Sequence, residues 1–294
     1  MAHKPPSYQT REAFVFRVCY NRLMQNYFKK QIAIPQDHGS WVFIFTPLAV
    51  GIFAGKSFGP ATISLIIAAL TAFLLRQPLT AAIKSYSGRR PRTDLPAARF
   101  WIVIYGVIAL LALAELFLLG DGYIAYLAVP GIPIFAWHLW LVSRRAERRQ
   151  AGVEIIATGV LSLTAPAALW VGIGHYDPAG WWLWILTWLQ SAASIVYAYL
   201  RLEQRELSEV PPRSDQWKMG RNALAFTSVN FVLSLILGLL SILPAFIFIP
   251  FLIQWLESIW GILNPAVKVK PVVIGTRQLI VSLLWTLSFI IVWR

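Results

Sequence analysis

The chain has 294 residues, 57% of them hydrophobic and 13% charged, and a formal net charge of +13. Ordinary soluble domains carry roughly 25% charged residues, so a water-solvated globule of this composition would lack the polar surface to cover itself. The positive charge does not indicate a nucleic-acid partner, because Lys and Arg lie between apolar blocks rather than on one water-facing unit. Cys19, the single cysteine, excludes a disulfide framework and any cysteine metal site.

Residues 1–39 read as a cytoplasmic amphipathic segment. Val15, Phe16, Cys19, Tyr20, Leu23, Met24 and Tyr27 share one helical face, with Arg22, Asn26, Lys29 and Lys30 on another, as suits a helix on the anionic inner leaflet or packed on loops. Charges throughout residues 1–35, and no small-residue cleavage site before Trp41, leave no secretory signal to expect.

From residue 40 the apolar runs have transmembrane length and do not alternate, so helices are expected rather than barrel strands. Spans are predicted near 40–55, 59–75, 98–119, 122–142, 153–174, 179–200, 223–241, 245–263 and 276–293. The expected fold is therefore all-α, a polytopic integral membrane protein of about nine helices in one transmembrane domain, 40–294. Pro47 in the first span and Pro250 in the eighth predict kinks. Gln77-Pro78 predicts the end of the second helix, with a short following helix whose apolar face is Leu79, Ile83 and Tyr86.

Alternating the connections between two sides puts 24 of the 26 Lys and Arg residues on one side and leaves Lys56 and Arg294 on the other. The basic side is expected to be cytoplasmic, with the amino terminus in, the carboxyl terminus out and the cell membrane as the location. Long basic connections follow spans two and six, and Arg76 and Arg201 stand at equivalent points 125 residues apart. Two four-helix units plus one helix are predicted, with a functional cavity between similar halves. The likeness is one of layout, without a residue-level repeat.

Ile34-Pro35-Gln36-Asp37-His38-Gly39-Ser40-Trp41 before the first span, and Arg76-Gln77-Pro78 after the second, resemble the YwiC-like family of bacterial membrane proteins. The nine-helix layout is further similar to UbiA-type prenyltransferases. That resemblance implies transfer of an isoprenoid from a diphosphate, with Mg²⁺ on aspartate-rich motifs in the loops after helices two and six. The residues depart from it. The first of these loops offers Arg76, Gln77, Lys84, Arg89, Arg90 and Arg92 before its first acid, Asp94, so Mg²⁺ would find no oxygen ligands there. Glu203, Glu206 and Glu209 in the second are interleaved with Arg201 and Arg205, which predicts local ion pairs rather than a metal cage. No cofactor is predicted.

Arginine neutralises phosphate directly and bidentately. Arg76, Gln77, Lys84, Arg89, Arg90 and Arg201 are accordingly the candidate ligand-binding residues, around a cavity open to the cytoplasm for an anionic, isoprenoid or quinone-like amphiphile. Arg144, Arg145, Arg148 and Arg149 read as orienting charges. His38 and Asp37 are the catalytic candidates, a proton-transfer pair; the alternative is a helix start capped by Asp37 or Ser40, with Trp41 at the interface. Glu257 in the eighth span is expected to bond Asn230 or Gln190, Glu115 to reach the outer interface, and His138 to be an interfacial or packing group. The functional expectation is binding of such an amphiphile, with any prenyltransferase-like chemistry departing from the Mg²⁺ scheme. A small-anion transporter and a noncatalytic subunit or assembly factor of a membrane complex are the alternatives. Membrane lipids are the expected partners.

Overall fold

A computed structural model of the chain describes residues 27–35, 38–144 and 151–294. Among these the regular structure is helical: α1 Lys30–Ala33, α2 His38–Gly55, α3 Pro60–Tyr86, α4 Leu95–Leu118, α5 Ala128–Ser143, α6 Ala151–Ser162, α7 Thr164–Ile173, α8 Ala179–Arg205, α9 Arg213–Leu239, α10 Phe248–Leu263 and α11 Pro271–Trp293. Short 3-10 turns, Arg92–Asp94 and Gly122–Leu127, lead into α4 and α5. Among the described residues seven segments are long and apolar enough to cross a membrane, α6 and α7 together making one of them. The first and eighth predicted spans, α2 and α10, are shorter apolar helices. The protein is thus an all-α polytopic membrane protein. Large apolar side chains such as Leu110, Leu111, Leu118, Val129 and Ile132 stand exposed on α4 and α5, as suits helices that face lipid.

Three sequence expectations are corrected. Pro78 does not end its helix, because the next two turns bury Ala81, Ala82 and Ser85; the alanines pack with Ile32, Ala97 and Ala98. Leu79 and Ile83 are only partly buried and Tyr86 is exposed, so the inward face is the one opposite to that predicted. Pro250 does not kink α10 but sits in its first turn, where a backbone N–H would have no intrahelical acceptor. Glu203, Glu206 and Glu209 are exposed and make no ion pair among the described residues.

Helix α2 packs on helices from both early and late parts of the chain. Gly51 and Gly55 leave its backbone bare on one side, and α7 lies directly on it. A Cβ built at Gly55 would stand 2.9 Å from Gly172 Cα, and one at Gly51 would stand 2.2 Å from the Ala165 carbonyl oxygen. Small residues at spacing four permit this approach, which gains dispersion contact where lipid offers no hydrophobic drive between helices. The other sides of α2 face α11, where Thr286 Oγ1 donates to Thr46 Oγ1 at 3.3 Å, and the α3–α4 pair. That pair is antiparallel, since Leu65 shares a cluster with Leu116 while Ala81 and Ala82 share one with Ala97 and Ala98.

The fifth span is broken between α6 and α7. Pro166 has no N–H for the Ser162 carbonyl, and the Leu163 amide turns to Val160 O at 3.1 Å instead of Gly159 O. Trp184 Nε1 takes up the released Gly159 carbonyl at 2.8 Å, and Trp188 Nε1 donates to Ile155 O at 2.7 Å. These two bonds knit α8 to α6 in a region without water to satisfy the break.

The basic connections gather at one end of the bundle. Lys29 Nζ and Arg90 Nε bond the buried Asp94 at 2.6 and 2.9 Å, Arg89 Nη2 donates to Val142 O, and Lys268 N donates to Arg205 O at 3.2 Å. Gly39, Leu202 and Pro271, at the corresponding ends of α2, α8 and α11, line a common groove. At the opposite end Lys56 and Arg294 share a crevice with Phe58.

Candidate amphiphile site

A cavity of about 230 Å³ opens between α2, α3, α5 and the α6–α7 break. Its walls are apolar, built from side chains such as Ile44, Phe73, Phe135 and Leu161, and its ionisable lining residues are Arg76 and His138. Each is held there for a local reason. Arg76 lies three residues beyond Phe73 on α3, and its guanidinium carbon is 5.7 Å from the centre of that ring. His138 comes from α5, which is short because a 3-10 turn replaces its first turns. The α6–α7 break opens the floor, so that Val160, Leu161 and Thr164 line the cavity where a straight helix would pack shut.

The two sequence stretches around the predicted site meet beside Arg76. Trp41 from the start of α2 packs edge-on against Phe73 at 5.0 Å, and Gln77 Nε2 donates to Gln31 O at 3.0 Å. Residues 27–33 are pinned over the same end, with Trp101 Nε1 donating to Tyr27 O at 3.0 Å and Tyr105 to Ala33 O at 3.1 Å. Asp37, the side chain of His38, and residues 1–26 and 145–150 lie outside the described residues, which covers the amphipathic face at 15–24 and Arg145, Arg148 and Arg149.

The six basic and amide candidates do not form one ring. Arg76 lines the cavity and Gln77 ties down the segment before α2. Lys84 lies two turns further along α3 and is half-buried. Arg89 bonds Val142 O at the carboxyl end of α5, and Arg90 pairs with Asp94. Arg201 belongs to the other half and is buried at the end of α10, where Nη1 donates to Gly261 O and Asn264 O, each at 2.7 Å, and to Gln204 Oε1 at 2.9 Å. Arg213 adds a bond to Leu263 O at 3.2 Å. A guanidinium on the last carbonyls of a helix satisfies acceptors that have no intrahelical donor and neutralises the negative end of its dipole.

The sequence reads His138 as an interfacial or packing group; its place in the same cavity as Arg76 depends on α3 and α5 meeting, and no local pattern announces that. The partner of Glu257 is likewise a tertiary fact. Arg277 of α11 and Tyr197 of α8 hold its carboxylate, while Asn230 Nδ2 donates to Leu189 O and Gln190 Nε2 to Ser194 Oγ. Glu115 is exposed on α4 one turn before its end, away from the cavity. No group of three or more His, Cys, Asp or Glu that could hold a metal ion occurs among the described residues.

The family described as YwiC-like protein matches residues 34–169, from the approach to α2 into α7, and so includes Arg76, His138 and the break in the fifth span. Over these residues, just under half of the chain, it is similar to that family. The uncharacterized protein YwiC of Bacillus subtilis (strain 168) is 25% identical over 179 residues, which cover 59% of this chain and 68% of that relative. No solved structure matches the chain. The matched part thus contains the whole lining of the Arg76 cavity, whereas Arg201, Glu257 and Arg277 fall outside it.

Proposed function

We propose that the chain binds an anionic isoprenoid amphiphile, such as an isoprenyl phosphate, in the cavity between α2, α3, α5 and α6–α7. The observation that carries the reading is the pairing of an apolar lining with two ionisable residues, Arg76 and His138. The planar fork of Arg76 matches two oxygens of a phosphate head, while the isoprenoid chain covers Phe73, Phe135 and Leu161. His138 is then the group placed to donate a proton or a hydrogen bond to the head. Transfer chemistry of the UbiA kind, on this reading, rests on arginine for neutralisation of the phosphate rather than on a carboxylate-bound Mg²⁺. The arginine-rich end faces the cytoplasm, the carboxyl terminus faces outward, and the head group enters from the inner leaflet of the cell membrane.

Native mass spectrometry of the purified full-length chain, titrated with farnesyl phosphate and with farnesol, tests this reading. Saturable retention of farnesyl phosphate, weakened at least tenfold by Arg76→Ala and by His138→Ala, is expected, with farnesol bound weakly by all three proteins. Equal retention of both probes by all proteins would overturn it.

A further inference from the structure

At the end of the bundle opposite the basic connections, a crevice of about 710 Å³ opens between the last turns of α2 and α11. Lys56, in the turn after α2, and Arg294, which caps α11, both line it, although they lie far apart in the chain. No acidic side chain lines it, and neither cation makes an ion pair among the described residues. The rest of the wall is Ser57 with the apolar Ala49, Ile52, Phe53 and Phe58, and the two phenyl side chains are 50% and 65% exposed.

These two cations are the ones that alternation of the connections leaves apart from the other 24 of the 26 Lys and Arg residues. Charges gathered on one side are accounted for by the orientation they impose, and charges on the other side work against it. The negative end of a helix dipole attracts a cation, which accounts for one charge at each helix end. It does not account for both opening on one crevice, where like charges repel. Lys56 also has a left-handed backbone, with φ of 58°, directly after α2, where glycine is the unstrained residue. A lysine thus stands where orientation, repulsion and backbone geometry all disfavour it. A cleft lined by one sign of charge concentrates the opposite sign. Its occupant has two tasks, to bring negative charge to Lys56 and Arg294 and to cover the rings of Phe53 and Phe58. A soluble anion leaves the rings bare, and a lipid without net charge leaves the cations uncompensated.

We propose that this crevice binds an anionic phospholipid, whose phosphodiester takes the Lys56 ammonium and the Arg294 guanidinium while its acyl chains lie along Ile52, Phe53 and Phe58. Arginine meets two phosphate oxygens with its planar fork, lysine acts as a point charge, and the Ser57 hydroxyl on the same wall is a further donor. The site shares no lining residue with the Arg76 cavity and stands independently of the reading given for it. Only its assignment to the outer leaflet rests on the orientation proposed above.

The purified full chain is titrated in detergent with three probes, and adducts are read by native mass spectrometry. Dioleoylphosphatidylglycerol is the anionic lipid, dioleoylphosphatidylcholine has the same chains without net charge, and glycerophosphate has the anionic head without chains. A saturable phosphatidylglycerol adduct, tighter than that of either control, is expected. Lys56→Gln and Arg294→Gln should each weaken it about fivefold, and the double variant should bind no better than it binds phosphatidylcholine. Both residues are exposed and Gln keeps much of their length, so the variants should fold. Arg144→Gln, which removes an exposed cation at the opposite end, should leave the adduct unchanged. Retention by the double variant at the parent level, or phosphatidylcholine bound as tightly as phosphatidylglycerol, would overturn the inference. Glycerophosphate bound as tightly as the anionic lipid would overturn it too, in favour of a soluble anion. Detergent leaves both ends accessible, so the outcome does not depend on the orientation, which cysteine labelling from the two sides tests separately.

Discussion

Arg277 lays its guanidinium carbon 3.2 Å from the centre of the Trp260 ring while its Nε and Nη2 bond the two carboxylate oxygens of Glu257 at 2.7 and 2.8 Å. The Tyr197 hydroxyl donates to the same carboxylate at 2.8 Å, so one acid joins α8, α10 and α11. Removing one partner of a fully buried ion pair costs about 3–5 kcal/mol, and the solvent that reaches Arg277, 39% exposed, reduces that. Glu257→Gln and Arg277→Met are each expected to destabilise by about 1–3 kcal/mol. The double variant should be less destabilised than the sum of the two. Thermal unfolding in detergent gives the coupling, and additive losses would show that the pair carries no net interaction.

Gly55 and Gly172 meet backbone to backbone. Gly55→Leu must push α2 off α7, since the new Cβ would fall 2.9 Å from a main-chain atom that cannot rotate away. We expect a loss of folded protein on size exclusion, as overpacking of a close helix contact costs about 1–3 kcal/mol or more. Gly39→Ala, where the added Cβ meets nothing within 4 Å, is the tolerated control.

Each guanidinium of Arg76 and Arg201 lies over an aromatic ring one turn back on its own helix, Phe73 at 5.7 Å and Tyr197 at 5.9 Å. Their surroundings differ. Arg201→Ala leaves the last carbonyls of α10 and Gln204 without their donor in a buried site and should cost about 2–3 kcal/mol of stability. Arg76→Ala should weaken retention of farnesyl phosphate, and an unchanged melting temperature for Arg201→Ala would remove the prediction made for that residue.

Trp184→Phe deletes the donor to the Gly159 carbonyl while keeping an aromatic ring at the α6–α8 contact. A loss of about 1–2 kcal/mol is expected in unfolding measurements, because the break above Gly159 leaves that carbonyl no helical amide. A silent substitution would mean that the break satisfies its own acceptors.

Orientation is open to labelling. In a Cys19→Ser background, Arg89→Cys should react with an impermeant maleimide only after the cells are opened, and His175→Cys should react in intact cells. Reaction of both in the same compartment would overturn the assigned topology.

How much was legible in the sequence follows from the range of the interactions concerned. The helices at 98–119, 179–200 and 276–293 were visible as apolar length, because each residue in lipid contributes to that signal on its own. The ends were less so: Pro78 punctuates a chain in isolation, yet burial of Ala81 and Ala82 against Ile32 and Ala97 carries α3 through it. Arg76 could be singled out by charge and position. Its partner in the cavity, His138, could not, since 62 residues and a change of helix separate them. The Gly51-x-x-x-Gly55 spacing was a usable local signal for close helix packing, and the sequence reading passed over it.

By itself the sequence determined the solvent of this protein and the segregation of its basic residues, since both are sums over single side chains. The tertiary structure decided which basic side chains bond a helix end, as Arg201 does, and which line a cavity, as Arg76 does, because both depend on where a second chain segment comes to lie.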